Sequence, residues 1–276
     1  MSSLFLRALA LATLATAATS LVGAEVHGRM LRVCADPNNL PFSNDHEGGF
    51  ENRIVRLIAT ELGADVRYTW WAQRRGFIRN TLNAGVCDLV PGVPFDYELA
   101  LTTPPYYRSS YVAVSRPNLH IDTLDDPKLR ALRIGVQMIG DDFVNTPPAH
   151  ALSRRGIVDN VVGYLIYGNY AEANPAAHIV RAVASGEIDV ALVWGPVGGY
   201  FAARQDPPLA VAPLLPSQDK GVPFDFAIAM GVRKGDDALR DTLAKVLERL
   251  KPEIDHILAE YHVPHVDQAG PAGAVR

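Results

Sequence analysis

The densest group of recognition side chains in the sequence is Trp70, Trp71, Arg74 and Arg75. It ends a segment in which apolar and polar residues alternate, as in a half-buried strand. The alternation predicts that Trp70 points inward and that Trp71 faces a cleft, where an aromatic and cationic surface stacks on a ligand or on a partner's loop. The alternative is that one tryptophan packs in the core and the arginines are only solvated.

Four further aromatic residues lie where predicted strands meet loops: Phe42, Tyr106, Tyr107 and Trp194. Trp194 ends a buried apolar run, and it either forms a cleft wall opposite Trp71 or packs between two lobes. We expect at least two of the other three side chains to be accessible, although either tyrosine could belong to the core.

The polar candidates for a site are weaker. Asp36, Asn38 and Asn39 could anchor a ligand, but such residues in a proline-rich loop usually cap turns. Glu51 and Asp36 could form a carboxylate pair, but nothing in the sequence tunes their pKa values apart. His262 and His265 have no third ligand at a useful spacing, which argues against a metal. No nucleophile, phosphate-loop or zinc-protease motif is present, so we expect neither an enzyme nor a cofactor.

The N-terminus resembles a secretory signal peptide. One positive charge, Arg7, precedes the uncharged apolar run from Ala8 to Val22, which is too short to span a membrane. A small-residue cleavage site follows at Val22-Gly23-Ala24, and Ala15-Thr16-Ala17 competes with it. We therefore expect residues 1–24 to be removed and the protein to be periplasmic.

The mature chain would have 252 residues, with 25 basic and 30 acidic side chains and a net charge of −5, because only Arg7 is lost from the 276 residues, 26 basic and 30 acidic, of the full sequence. This balance gives no basic face for nucleic acid. No second long apolar run exists, so we expect no membrane-embedded segment.

The only two cysteines, Cys34 and Cys87, lie in segments predicted as strands. In an oxidising compartment such a pair favours a disulfide if the two strands are neighbours. The alternative is two buried thiols.

Strands and helices alternate along the chain, which predicts an α/β fold with parallel sheets. A second βαβ unit interrupts the first, so we expect two lobes around a central cleft. The predicted division is lobe 1 at 25–112 plus 224–266, lobe 2 at 113–223, and a disordered tail at 267–276. Predicted helices include Arg75–Ala84 and Asp141–Arg155.

The segments Leu31–Phe42, Gly49–Glu51, Asn83–Asp88 and Pro104–Tyr107 resemble the type II periplasmic solute-binding proteins of the polar-amino-acid class. That resemblance implies the type II fold with a discontinuous first lobe. Amino-acid carriers of this class hold the ligand carboxylate with an arginine and its ammonium with an aspartate. Here the corresponding positions are Asp96 and Trp194, so we do not expect an amino-acid carrier.

Four longer motifs are more specific: LRVCADPNNLPFSN, YTWWAQRRGFIRNTLNAGVCD, TTPPYYRSSYV and PPAHALSRRGI. They resemble the MxaJ/XoxJ-like proteins associated with PQQ-dependent methanol dehydrogenases. The resemblance implies a periplasmic helper in maturation or activation of the dehydrogenase, with the dehydrogenase or its cytochrome as partner.

Two alternatives remain open: an importer's carrier for a small solute other than an amino acid, and an enzyme similar to cyclohexadienyl dehydratase, which the missing arginine disfavours. The residues predicted for the ligand or partner cleft are Asp36, Asn38, Phe42, Trp71, Arg74, Arg75, Val93, Pro94, Asp96, Tyr106, Tyr107, Gln137 and Trp194.

Overall fold

A computed structural model of the chain describes residues 29–139, 144–166 and 169–266. The predicted signal peptide and the predicted tail lie outside the described residues. Among the helices in the described part, none is both long enough and apolar enough to cross a membrane.

The chain alternates strands and helices as the α/β prediction requires. Its first part contains β1 Arg29–Ala35, β2 Asn38–Asn39, β3 Ser43–Asn44, α1 Phe50–Leu62, β4 Ala64–Trp70, α2 Phe77–Asn80, β5 Leu89–Pro94, β6 Leu101–Thr102 and β7 Tyr107–Ser115. The middle part contains a 3-10 helix at Pro127–Arg130, β8 Ile134–Ile139, β9 Val144–Asn145, α3 Pro147–Arg154, β10 Val161–Leu165, a 3-10 helix at Pro175–Ala177, α4 His178–Ser185, β11 Val190–Trp194, α5 Gly195–Ala202, β12 Ala210–Pro213, β13 Gln218–Asp219 and β14 Val222–Pro223. The last part contains β15 Asp225–Val232, α6 Asp237–Arg249 and α7 Lys251–Glu260.

Eight strands form one continuous path in the order β10-β8-β11-β7-β15-β5-β1-β4. The outer three strands of each half are parallel, since β1 pairs with β4 and β5, and β8 pairs with β10 and β11. The inner strand of each half is antiparallel to its neighbour, because β15 pairs antiparallel with β5, and β7 with β11. The halves meet at β7 and β15, which pair antiparallel with each other from Tyr107–Ile228 to Ser110–Asp225. We call residues 29–112 and 224–266 lobe 1 and residues 113–223 lobe 2.

Each half of the sheet is covered on both faces. In β1 the side chains of Val33 and Cys34 are both fully buried but point to opposite faces, because side chains alternate along a strand. Val33 packs with α1, α6 and α7, and Cys34 packs with α2. Strands buried on both faces read as continuous apolar runs, as β11 does in lobe 2.

Helix α1 illustrates how the sequence sets an element. Phe50, Ile54 and Ile58 recur at helical spacing and are fully buried on its inner face. Gly63 ends the helix in the left-handed conformation at φ 60°, and its N–H donates to carbonyls of the last turn.

A disulfide joins Cys34 in β1 to Cys87, just before β5, with their Cα atoms 5.6 Å apart. The two strands are parallel neighbours, which is the arrangement that the sequence argument required. The bond closes a loop of 53 residues in lobe 1.

Two predicted helices need correction, and one observed helix was not predicted. The helix expected at Arg75–Ala84 is only the single turn of α2. The helix expected at Asp141–Arg155 begins at Pro147 in the described residues, because proline fits the first helical position better than the interior. Helix α5 was not predicted at all, since its glycine-rich sequence has low helix propensity.

The chain after α7 returns to lobe 2. Tyr261 is anchored in lobe 1, where its hydroxyl donates to Gly48 O at 2.7 Å, and its ring stacks on Tyr200 of α5 at 5.5 Å. Farther on, the carbonyl of Pro264 accepts a hydrogen bond from Ser109 Oγ at 2.7 Å. A β-carbon on Gly199 would overlap the carbonyl oxygen of His262, so only glycine lets this segment approach α5 so closely.

Candidate functional site

A cavity of about 410 Å³ lies between the two lobes, where the strand ends of both halves of the sheet face each other. Ligands of open α/β sheets bind at such strand ends. The cavity is lined by Asn39, Phe42, Glu51, Gln73, Gly92, Val93, Pro94, Tyr107, Tyr111, Gln137, Ile139, Pro147, Ile166, Ala176, Trp194, Val197, Phe226 and Ile228.

Three aromatic rings form one wall of the cavity. Trp194 lies 5.4 Å from Tyr111 and 6.0 Å from Phe226, measured between ring centroids, and all pairs are edge-to-face. This geometry is favourable because it brings a positive ring edge to a negative ring face. The backbone N–H of Trp194 donates to Gln137 Oε1 at 2.8 Å, which fixes the strand end that carries the indole.

The carboxyl group in the cavity belongs to Glu51, the second residue of α1, which is only 8% exposed. Among the described residues no hydrogen-bond donor reaches its side chain. A β-carbon on Gly92 would overlap its Oε1, so the absence of a side chain at Gly92 makes the space that this carboxyl occupies.

Burial raises the pKa of Glu51 to about 8, and the nearby negative charge of Asp36 raises it further in the same direction. Glu51 lies in the first turn of a helix, where the helix dipole favours a carboxylate by up to about 1 kcal/mol. The pKa shift corresponds to about 5 kcal/mol, so desolvation is the larger effect. The sequence-based expectation was that nothing separates the pKa values of the two carboxyl groups, Glu51 and Asp36. It is wrong, because burial raises the pKa of Glu51.

Asp36, at the end of β1, is buried and fully occupied by hydrogen bonds. Its carboxylate accepts from the backbone N–H groups of Asn38 at 2.8 Å and Gln73 at 2.6 Å. It also accepts from the hydroxyl of Tyr170, which belongs to lobe 2. Burial and this hydrogen bond raise the pKa of Tyr170 above its ordinary value, so the hydroxyl stays a donor.

Asn38 makes a second contact across the lobes. Its Nδ2 donates to Glu172 O at 2.8 Å, and its Oδ1 accepts from the N–H of Asn174 at 3.2 Å. The guanidinium of Arg74 lies 4.9 Å from the centre of the Tyr170 ring. We call this set the inter-lobe bridge: Asp36, Asn38 and Arg74 of lobe 1 with Tyr170, Glu172 and Asn174 of lobe 2.

The predicted cleft residues fall into three groups. The cavity is lined by Phe42, Val93, Pro94, Tyr107, Gln137 and Trp194. The inter-lobe bridge contains Asp36, Asn38 and Arg74. Trp71, Arg75, Asp96 and Tyr106 do not line the cavity.

The residues of the third group are displaced for identifiable reasons. Trp71 is 48% exposed, since it follows the last residue of β4 and leaves the sheet. Arg75 is also exposed. Asp96 lies in an exposed turn after β5, with φ 62°. Tyr106 is a core residue whose hydroxyl donates to Pro91 O at 3.1 Å.

Four site residues were not predicted from the sequence: Tyr111, Phe226, Tyr170 and Gln73. Tyr111 and Phe226 lie in the middle of apolar strand segments, so they read as core. Tyr170 lies in a polar loop whose sequence contains no pattern that indicates a binding site. Only the fold brings these loops and strands to one place.

The described lining of the cavity does not contain the pair of opposite charges by which amino-acid carriers of this class hold their ligand. Among its lining residues, all within the described part of the chain, no lysine, arginine, histidine or aspartate occurs. The described residues also contain no group of three or more histidine, cysteine, aspartate or glutamate side chains that could hold a metal.

Two lobes joined by crossing strands, with a cavity between them, define the chain as a binding protein of the type II periplasmic fold. No protein-family model matches the chain. Protein MoxJ of Methylorubrum extorquens is 32% identical over 249 residues, which cover 85% of this chain and 81% of that protein. The chain therefore belongs to the family of MoxJ, the MxaJ/XoxJ-like periplasmic binding proteins, as the sequence motifs predict.

Two solved structures are similar to the chain. The crystal structure of the periplasmic binding protein XoxJ from Methylobacterium extorquens AM1 is 36% identical, with a TM-score of 0.71 over 86% of this chain and 100% of that chain. MxaJ from Methlophaga aminisulfidivorans MPT has the same TM-score and coverage at 21% identity, which shows the shared fold alone.

Proposed function

We propose that this chain is a periplasmic accessory protein of a PQQ-dependent methanol or alcohol dehydrogenase, and that it acts in the maturation or activation of that enzyme. Its membership of the MoxJ family carries the proposal. The protein is exported through its N-terminal segment, binds the dehydrogenase or its cytochrome, and catalyses no reaction itself.

The composition of the cavity supports a role other than amino-acid transport. A zwitterion bound there would leave its carboxylate without a cationic partner, and an unpaired buried charge costs several kcal/mol. Exposed Trp71 fits the partner interpretation better than the ligand interpretation, because a half-exposed tryptophan is typical of residues that anchor protein interfaces.

Deleting the gene in the organism that encodes it tests the proposal. We expect methanol-dependent dehydrogenase activity of periplasmic extracts to fall, and a plasmid copy to restore it. If maturation is the role, the amount of dehydrogenase carrying its cofactor falls as well. If activation is the role, that amount is unchanged and adding the purified protein to the extract restores activity. Normal activity in the deletion strain would refute the accessory function.

The surface that meets the partner is tested by co-purification. We expect Trp71→Ala to weaken recovery of the dehydrogenase or its cytochrome at least tenfold. Leu99→Ala is the matched control, because Leu99 is 49% exposed and also belongs to lobe 1. Equal recovery of the partner with both variants would show that Trp71 does not contribute to the interface.

A second candidate function is a carrier that delivers a small solute to an importer, and the cavity of about 410 Å³ favours it. In that case the deletion strain loses uptake of one solute while its dehydrogenase activity is normal.

A further inference from the structure

The cavity contains a polar group for which the accessory role gives no use. The side chain of Glu51 is buried, carries no hydrogen bond in the described structure, and lines the cavity rather than the core. A buried carboxyl group without a partner destabilises the fold, and such groups are found where a ligand completes them.

The residues around this carboxyl indicate which class of ligand would bind beside it. Five aromatic side chains line the same cavity: Phe42, Tyr107, Tyr111, Trp194 and Phe226. The faces of aromatic rings carry negative potential and attract cations, most strongly where water is excluded. The cavity thus combines one acid with several aromatic walls and no basic side chain among its described lining residues.

We propose that the cavity binds a small monovalent organic ammonium ion, with its nitrogen at the carboxylate of Glu51 and its apolar body against the aromatic wall of Tyr111, Trp194 and Phe226. The inference goes beyond the accessory role and does not depend on it. The cavity suits such a body, because Ile139, Ile166 and Val197 also line it and add apolar surface.

Binding of the cation is coupled to loss of a proton from Glu51. The groups near this carboxyl are Asp36 just after β1, Tyr68 in β4, Tyr106 just before β7, and Tyr107, the first residue of β7. Burial raises the pKa of all three tyrosines, so they stay neutral when Glu51 ionises. The proton leaves to solvent, and the ammonium ion replaces its charge.

Alternative ligands predict a different dependence on pH. A neutral ligand that accepts a hydrogen bond binds the protonated form of Glu51 and is released as the pH rises. An anion finds no basic group among the described residues that line the cavity, and the carboxylate repels it. Of these three kinds of ligand, only the cation binds more tightly as Glu51 ionises.

The experiment is a calorimetric titration of the mature protein with choline, with benzyltrimethylammonium, and with the neutral isostere of choline in which carbon replaces the nitrogen. If only ionised Glu51 binds the cation, affinity is about fiftyfold higher at pH 8 than at pH 6, because the ionised fraction rises from about one hundredth to one half. Titrations in buffers of different ionisation enthalpy give the proton release, which we expect to be close to one at pH 7.

The control variants are Glu51→Gln and Glu98→Gln; Glu98 is an exposed carboxylate of lobe 1 away from the cavity. We expect Glu51→Gln to lose at least tenfold in cation affinity at pH 8 and to lose the pH dependence, with the neutral isostere unaffected. Glu98→Gln should bind like the wild type.

Three outcomes would overturn the inference: no cation binds at millimolar concentration, the neutral isostere binds as tightly as choline, or Glu51→Gln leaves cation binding unchanged. None of them bears on the deletion experiment above. A chain that fails to bind cations but is still required for dehydrogenase activity refutes the ligand and leaves the accessory function standing.

Discussion

Replacing Glu51 by glutamine should change how the stability of the folded protein depends on pH. The pKa of this carboxyl rises from 4.5 to about 8 on folding. Between these two values the folded chain holds a proton that the unfolded chain has released. The contribution of this group to the free energy of unfolding is therefore fully present below pH 4.5 and is lost as the pH rises toward 8.

The magnitude follows from the size of the shift. Each pKa unit is worth 1.36 kcal/mol, so the whole window corresponds to about 5 kcal/mol. Most of it falls between pH 5 and pH 8, where the wild type loses about 3 kcal/mol through this one group. Glutamine has nearly the same shape and no proton to lose, so the variant does not share this loss.

The assay is urea unfolding of wild type and Glu51→Gln at pH 5, 6, 7 and 8. We expect the stability of the variant relative to wild type to increase by about 3 kcal/mol from the lowest to the highest pH. Comparing the two proteins at each pH cancels the titration of all other groups. The change of this stability difference with pH is also independent of any constant packing difference between the two side chains.

A second variant guards against a general charge effect. Glu98→Gln makes the same chemical substitution at an exposed position of lobe 1. We expect its stability to run parallel to that of the wild type over this pH range. If the stability of Glu51→Gln also follows that of the wild type over this pH range, within about 0.5 kcal/mol, the pKa of Glu51 is not raised by burial. The description of the cavity carboxyl as unpartnered would then be wrong.

Three further perturbations test the same architecture. Gly92→Ala should displace the carboxyl of Glu51 and destabilise the fold by about 1–3 kcal/mol, measured by urea unfolding; unchanged stability would mean that the carboxyl has room elsewhere. Reducing the Cys34–Cys87 disulfide should lower the unfolding free energy by about 4 kcal/mol, because the bond closes a loop of 53 residues in the unfolded chain; equal stability with and without reductant would contradict this. Tyr170→Phe removes a donor of the inter-lobe bridge and should cost about 1–2 kcal/mol and increase the radius of gyration in solution scattering; an unchanged scattering curve would show that the bridge does not hold the lobes.

The fold was predictable because its signals are local and repeated. The apolar spacing of α1 and the continuous apolar run of β11 each specify one element, and their alternation specifies a parallel α/β sheet. Helix α5 was not predictable in this way. Its glycines are required by close contacts with other elements, and no local pattern reports such contacts.

The cavity was predictable only in part. Phe42, Tyr107 and Trp194 occur at junctions of strands and loops, where family resemblance and periodicity agree. The state of Glu51 depends on how deeply the packed chain buries it and on the absence of a side chain at Gly92. Burial is a property of the assembled fold, so the sequence named the carboxyl without revealing its unusual pKa.

The return of the chain after α7 has a consequence for motion. Besides the two strands that cross between the lobes, the segment after α7 makes a third connection, because the ring of Tyr261 stacks on Tyr200 and the carbonyl of His262 lies against Gly199 of α5. Two crossing strands form a hinge about which one lobe can rotate relative to the other. A third connection away from the hinge axis limits the extent of that rotation. A wide opening of the lobes must therefore separate the segment after α7 from α5. This segment limits the opening through contacts that lie outside the cavity.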